Sequence, residues 1–167
     1  MSTNLLLVSP YNVNFYGGVQ NQVNQFKNNL DSSKFNVRIL APDSSDYDIG
    51  KSFRIPFNGS NNPISLLPNK QILNEAIAWA DIIHIHEPFI PLFFWRLKSS
   101  KKIIVTHHAK ISKFIYFGLK FLYLTLRNKN FYSTAVSDEA KTNALTLSKK
   151  TRIIPNFIVI NENISFI

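Results

Sequence analysis

The chain of 167 residues contains no cysteine. A disulfide framework, a thiol nucleophile and a thiolate metal site are therefore all excluded. Long apolar runs are missing too. The first, Leu5-Leu6-Leu7-Val8, is too short for the core of a secretory signal, and Met1-Ser2-Thr3-Asn4 before it carries no basic flank. The expectation is a protein on the cytosolic side. Acidic residues are absent from Pro88 to Ser137, where nine Lys and Arg residues occur. The other ten basic residues balance the ten acids, so the whole net charge of +9 lies in that one segment. A one-sided excess implies an anionic partner, either nucleic acid or a membrane surface, or else a plain bias toward lysine. There is no internal repeat, low-complexity tract or sustained heptad pattern.

What is present suits one domain with a real core, since 45% of the residues are apolar. Strand-like and helix-like runs alternate. Residues 5–8, 35–40, 53–57, 81–86, 102–106, 131–136 and 152–156 read as seven strands. Val19, Val23, Phe26 and Leu30 recur at helical spacing, as do Ile72, Leu73, Ala76, Ile77 and Ala80. The apolar stretch 88–97 reads as a buried helix, 110–130 as a long one, and Ser137-Asp138-Glu139 as a capped helix start. Residues 43–48 and 58–63 read as loops. The alternation predicts an α/β fold, a Rossmann-like parallel sheet with helices on both faces.

In such a sheet the ligand lies beyond the carboxyl ends of the strands, where strand order reverses. The conspicuous polar residues fall at those ends: Tyr11 after the first strand, Asn58 after the third, His86 and Glu87 after the fourth, His108 after the fifth. They read as one site. Gly17-Gly18 opens the first helix, where two glycines make room for an anion against unpaired N–H groups or merely form a sharp turn. His84 and His86 share a strand face, but no third ligand at a fixed spacing joins them, so a metal is disfavoured. Of His107 and His108, one must turn into the crevice, where an imidazole exchanges hydrogen bonds with a hydroxyl near neutral pH.

On the predicted helix 110–130, Lys110, Lys113, Lys120 and Arg127 fall in one sector among aromatic and aliphatic side chains. Two readings stand: an interfacial membrane helix, or a core helix whose lysines reach out to water. The lysines break every long apolar run, so the helix does not span a bilayer. Nucleic acid is disfavoured, because no recognition motif accompanies the charge.

Six motifs in order carry a resemblance: Pro10-Tyr11 to Gly17-Gly18-Val19-Gln20, Ile55-Pro56-Phe57-Asn58-Gly59-Ser60, Asp81-Ile82-Ile83-His84-Ile85-His86-Glu87-Pro88, Val105-Thr106-His107-His108-Ala109, Thr134-Ala135-Val136-Ser137 and Ile153-Ile154-Pro155-Asn156. Together they resemble the N-terminal domain of family 4 retaining glycosyltransferases, and within these the phosphatidylinositol mannosyltransferases. The resemblance implies the N-terminal half of a GT-B fold, with no metal and no cofactor beyond a nucleotide-diphosphate sugar as co-substrate. It implies that Gly17 and Gly18 face the donor diphosphate and that His108 meets the sugar or acceptor hydroxyl at the reacting centre. Tyr11, Gln20, Asn58 and Ser60 would line the acceptor pocket, beside His86 and Glu87. Lys110, Lys113, Lys120 and Arg127 would meet anionic lipid on the inner face of the membrane.

Three departures accompany it. No basic residue follows the Asn-Gly-Ser loop, where Asn61, Asn62 and Pro63 stand. The family's Pro-Asn-Gly-Val-Asp junction reads Pro155-Asn156-Phe157-Ile158-Val159. The donor-binding domain expected soon after Ile160 is absent from the 167 residues. The expectation is thus an acceptor-side domain over 1–160 with 161–167 opening a linker. It would be inactive without a donor domain, which a separate gene could supply. The alternative is a catalytically idle module that docks on a membrane or on a partner transferase.

Overall fold

In a computed structural model, the described residues are 2–54, 56, 61, 63–65, 68–88, 100–110, 131–144 and 150–157. Nine strands and three helices lie among them. In order they are β1 (Thr3–Val8), α1 (Gly18–Asn29), β2 (Phe35–Ala41), β3 (Tyr47–Asp48), β4 (Ser52–Arg54), β5 (Pro63–Ser65), α2 (Lys70–Trp79), β6 (Ile82–His86), β7 (Lys102–His107), β8 (Phe131–Ala135), α3 (Asp138–Ala144) and β9 (Arg152–Ile153).

Seven strands form one parallel sheet in the order β3-β2-β1-β6-β7-β8-β9. The apolar run Leu5-Leu6-Leu7-Val8 of β1 is continuous because this central strand is buried on both faces. Alternate residues point to opposite sides. Leu6, Val8, Ile83, Ile85, Ile103 and Val105 pack with Leu73 and Ala76 of α2. Leu5, Leu7 and Ile39 pack on the other side with Val23 and Phe26 of α1. Ala135 meets Ala140 and Ala144 of α3. It is in register with His107, on the same face as Val105, so α3 covers the α2 side. Burying each such Leu, Ile or Val contributes about 1.5–3 kcal/mol.

Local signals set the helix starts. Asn69 caps α2 by accepting from Gln71 N at 2.9 Å and Ile72 N at 3.4 Å. Ser137 Oγ accepts from Ala140 N at 3.2 Å, the cap expected for α3. The amino end of β1 is clamped to the turn before β6, where Asn4 N donates to Asp81 Oδ2 at 2.9 Å across 77 residues.

Three expectations need correction. Residues 43–48 are not all loop, because Tyr47–Asp48 pairs with Leu40 and Ala41 as the edge strand of the main sheet. The run opening at Phe53 does not join the main sheet: Ser52–Arg54 pairs antiparallel with Pro63–Ser65 in a separate two-stranded ribbon, and Ile55 and Phe57 lie outside the described residues. The ribbon has a reason to sit apart: Pro10, Tyr11 and Asn12 add to its edge, through Ser65 N to Pro10 O and Asn12 N to Pro63 O, both 3.2 Å. The last strand is also shorter than 152–156, ending at Ile153. Asn58, Ser60, Lys113, Lys120 and Arg127 lie outside the described residues, as do the predicted helices over 88–97 and 110–130 apart from Pro88 and Lys110.

Candidate functional site

Strand order reverses between β1 and β6, and the loops leaving β1, β6 and β7 meet there. They enclose a cavity of about 220 Å³ whose wall includes Tyr11, Gly18, Gln20, Glu87 and His108. Five of the residues expected at the site are thus brought together.

Tyr11 is fixed by a local lock. Its N–H donates to Ser9 Oγ at 3.1 Å, and the same hydroxyl donates to Tyr11 O at 3.0 Å. Its ring packs on Ile64 and Val19. Burial, and secondarily the nearby Glu87 carboxyl, push its phenol well above the usual range, so it remains a neutral hydroxyl.

The two glycines do different jobs. A Cβ on Gly17 would land on the folded-back amide of Gln20, so Gly17 makes room for that side chain rather than facing the cavity itself. A Cβ on Gly18 would meet nothing within 4 Å, although Gly18 lines the cavity. Space within the fold does not demand glycine there. Helix α1 also starts with no side-chain cap and no acid in its first turn. Its first N–H groups therefore have no side chain to bond them, an arrangement that favours an anion.

Glu87 ends β6 in the left-handed region, at φ 55°. Such backbone costs roughly 1 kcal/mol or more for a non-glycine residue and persists only when its surroundings hold it. Glu87 N donates to Thr106 O at 2.8 Å, and Glu87 Oε2 accepts from His108 N at 3.3 Å. Burial raises its carboxyl to about 8, against the opposing pull of the His108 and Ala109 N–H groups, so it is mostly protonated at neutral pH. His108 stays neutral in turn, lowered by burial to about 4. Glu87 Oε1, Gln20 Nε2 and His108 Nδ1 are buried with no hydrogen-bond partner among the described residues. The three residues line the cavity, while these unanswered atoms are themselves buried behind its surface.

His86 was expected on that wall and lies behind it. The pleat turns His84 and His86 toward α1, where Phe26 meets their rings edge-on at 5.3 and 5.8 Å. His86 is fully buried, and its Nδ1 stands 3.0 Å from His108 Nε2. His84 Nε2 lies 2.7 Å from Thr106 Oγ1, which lies 2.7 Å from Thr134 Oγ1. Burial, followed by neighbouring imidazoles, lowers His84 to about 3 and His86 well below the usual range. His107 points to the opposite face, buried and lowered to about 3. Among the described residues no cluster of three or more His, Asp or Glu could hold a metal ion. No described helix is long and apolar enough to cross a membrane, and Lys110 is exposed just past β7.

The sequence reading passed over Asn156, which also lines the cavity. Phe157 packs edge-on against Phe26 at 5.2 Å, which draws the segment after β9 to the mouth of the site. Its position just past a strand end was the available signal. The Thr106–Thr134 hydroxyl pair was missed as well, because cross-strand pairs depend on register.

A doubly wound sheet with an uncapped helix start and a polar crevice at its switch point is the arrangement in which α/β domains hold their ligands. The chain belongs to Glycosyltransferase Family 4, whose family model matches residues 16–162. It is 30% identical over 121 residues to the phosphatidyl-myo-inositol mannosyltransferase of Mycobacterium leprae, covering 64% of this chain and 32% of that protein. It is 34% identical over 119 residues to the protein of the same description from Mycolicibacterium smegmatis, covering 64% of this chain and 31% of that one. The matched region is thus about a third of the length of these curated relatives.

Proposed function

We propose that residues 1–160 form the acceptor-side domain of a retaining glycosyltransferase that moves a hexose from a nucleotide-diphosphate sugar to a lipid or glycan hydroxyl. The single observation that carries this reading is the pairing of an uncapped α1 start at open Gly18 with the cavity that Tyr11, Gln20, Glu87 and His108 line beside it. The diphosphate would lie against the helix start, while the polyhydroxylated ring would meet the wall. Tyr11 and Gln20 hold the acceptor, and His108 sits at the reacting centre. Asn58 and Ser60 complete the acceptor side in this reading. The names of the two relatives favour mannose as the sugar and an inositol lipid as the acceptor. Family chemistry supplies a front-face attack assisted by the donor phosphate, with no metal and no further cofactor. A donor-binding domain is required for turnover, whether joined to this chain or encoded separately.

The test is transfer of labelled hexose by a polypeptide joining this chain to a family donor domain, across a panel of nucleotide-diphosphate hexoses. His108→Ala should reduce turnover roughly a hundredfold or more, the scale of a group acting at the reacting centre. Unchanged transfer would remove His108 from that role. The one-sided charge further favours docking on the cytosolic membrane face through Lys110, Lys113, Lys120 and Arg127. Vesicles with anionic lipid should then sediment the protein and neutral vesicles should not, with binding falling as salt rises.

A further inference from the structure

Among the described residues of the cavity wall, only Glu87 has a left-handed backbone, at φ 55°. Strands β6 and β7 end together, with His86 in register with Thr106. The Glu87 N–H extends that pairing by donating to Thr106 O at 2.8 Å. The chain then turns away, and the Glu87 carboxyl reaches the loop past β7. Its Oε2 accepts from His108 N at 3.3 Å, and the Ala109 N–H bonds the same carboxyl.

Those two amides are the first beyond β7, and neither meets a backbone carbonyl among the described residues. The carboxyl gives them the acceptor that the sheet no longer supplies. Glycine adopts a left-handed turn at no steric cost, so the turn alone does not call for glutamate. A carboxyl with two acceptor oxygens matches two N–H groups. Glu87 is 3% exposed and its Oε1 is buried, so the carboxyl serves the loop rather than an occupant of the cavity.

The His108 ring is held separately. Its Nε2 lies 3.0 Å from His86 Nδ1, and the two rings stack with centroids 5.2 Å apart. Main chain and ring are thus fixed by two consecutive residues, Glu87 and His86, at one strand end. We propose that Glu87 is a positioning residue rather than a contact to the acceptor: its carboxyl clasps the His108 and Ala109 N–H groups and keeps His108 on the cavity wall. The clasp stands on these contacts alone, while its effect on turnover rests on the proposed function.

Carbon and amide spectra of the 167-residue protein test the clasp without any substitution. The Glu87 carboxyl carbon reports its ionisation, which burial places at about 8. The titratable side chains that share the wall, Tyr11 and His108, stay neutral there, because burial raises the phenol and lowers the imidazole to about 4. The His108 and Ala109 amide shifts should therefore move with that carbon, at one midpoint. Amides that stay still while the carboxyl ionises overturn the proposal. Glu87→Gln keeps an acceptor oxygen, whereas Glu87→Gly keeps the turn alone. Hydrogen exchange at the two amides should quicken roughly tenfold in the glycine variant and less in the glutamine variant. In a transfer-competent enzyme, the glycine variant should lose roughly tenfold to a hundredfold in kcat at little change in donor KM, and the glutamine variant should recover most of it. Exchange and kcat unchanged in Glu87→Gly would show that only the turn matters, which overturns the positioning role. Absence of transfer in the unsubstituted enzyme would count against the proposed function, while the amide titration would still decide the clasp.

Discussion

Gly17 and Gly18 are neighbours with separable roles, and alanine distinguishes them. A methyl on Gly18 points into open space, so Gly18→Ala should leave stability within about 0.5 kcal/mol of the original. It should nevertheless weaken donor binding roughly tenfold, because the group it obstructs is a ligand and not the protein. Gly17→Ala displaces the flexible end of Gln20, so the fold survives and acceptor affinity falls instead. Calorimetric titration of each variant with donor and with acceptor, beside thermal melts, checks both. Donor affinity unaltered by Gly18→Ala would take Gly18 out of the anion site. Glu87 makes the complementary point. Its strained backbone and buried carboxyl have no counterpart in the core and sit where three loops meet.

At the scale of elements, the clearest prediction concerns a cap remote from the cavity. Asn69→Ala leaves two N–H groups of α2 without their acceptor and should cost about 1 kcal/mol in chemical denaturation, with ligand binding unchanged. A loss of binding instead would tie α2 to the site. The elements that could be read from the chain are those with enough residues to show a period. Strands β1 and β7 contain apolar runs, β6 alternates isoleucine with histidine, and α1 and α2 present apolar residues at spacings of three and four. Strands β3, β4 and β5 have only two or three residues each, too few to show alternation. The run Phe53-Arg54-Ile55-Pro56-Phe57 looks like a sheet strand by composition. Its real partner, Pro63-Ile64-Ser65, follows a loop signal and opens with proline, so nothing local announced the antiparallel ribbon. The site was legible through topology, since Tyr11, Glu87 and His108 follow strand ends. The depth of His86, and the hydroxyls of Thr106 and Thr134 behind it, emerge only once register is fixed.

The whole molecule should show a stability maximum near neutrality. Its four histidines are all held neutral, with folded pKa values below the ordinary 6.5. Below that pH the unfolded chain takes up protons that the folded one refuses, so their contribution is present above 6.5 and lost as the pH falls. Glu87 has the opposite sign. Its folded pKa of about 8 exceeds the ordinary 4.5, so its contribution is full below 4.5 and lost as the pH rises to 8. The histidines outnumber it in acid, and between 6.5 and 8 it acts without them. Denaturation midpoints should therefore peak near pH 6.5 and fall on both sides. Glu87→Gln should flatten the alkaline side and leave the acid side in place. A midpoint that climbs steadily through pH 8 would show that the Glu87 carboxyl is not desolvated.

The clamp between Asn4 and Asp81, spanning 77 residues, also orders events in time. Strand β1 lies at the centre of the sheet, yet one of its two neighbours is β6, far along the chain. During synthesis β1 and β2 can pair early, but the other edge of β1 waits open until residue 86 has emerged. Closing so long a loop is slow, and an open apolar strand edge invites association in the interval. The crevice lies where the sheet's two most widely separated partner strands meet, so it should be late to acquire amide protection in a refolding experiment.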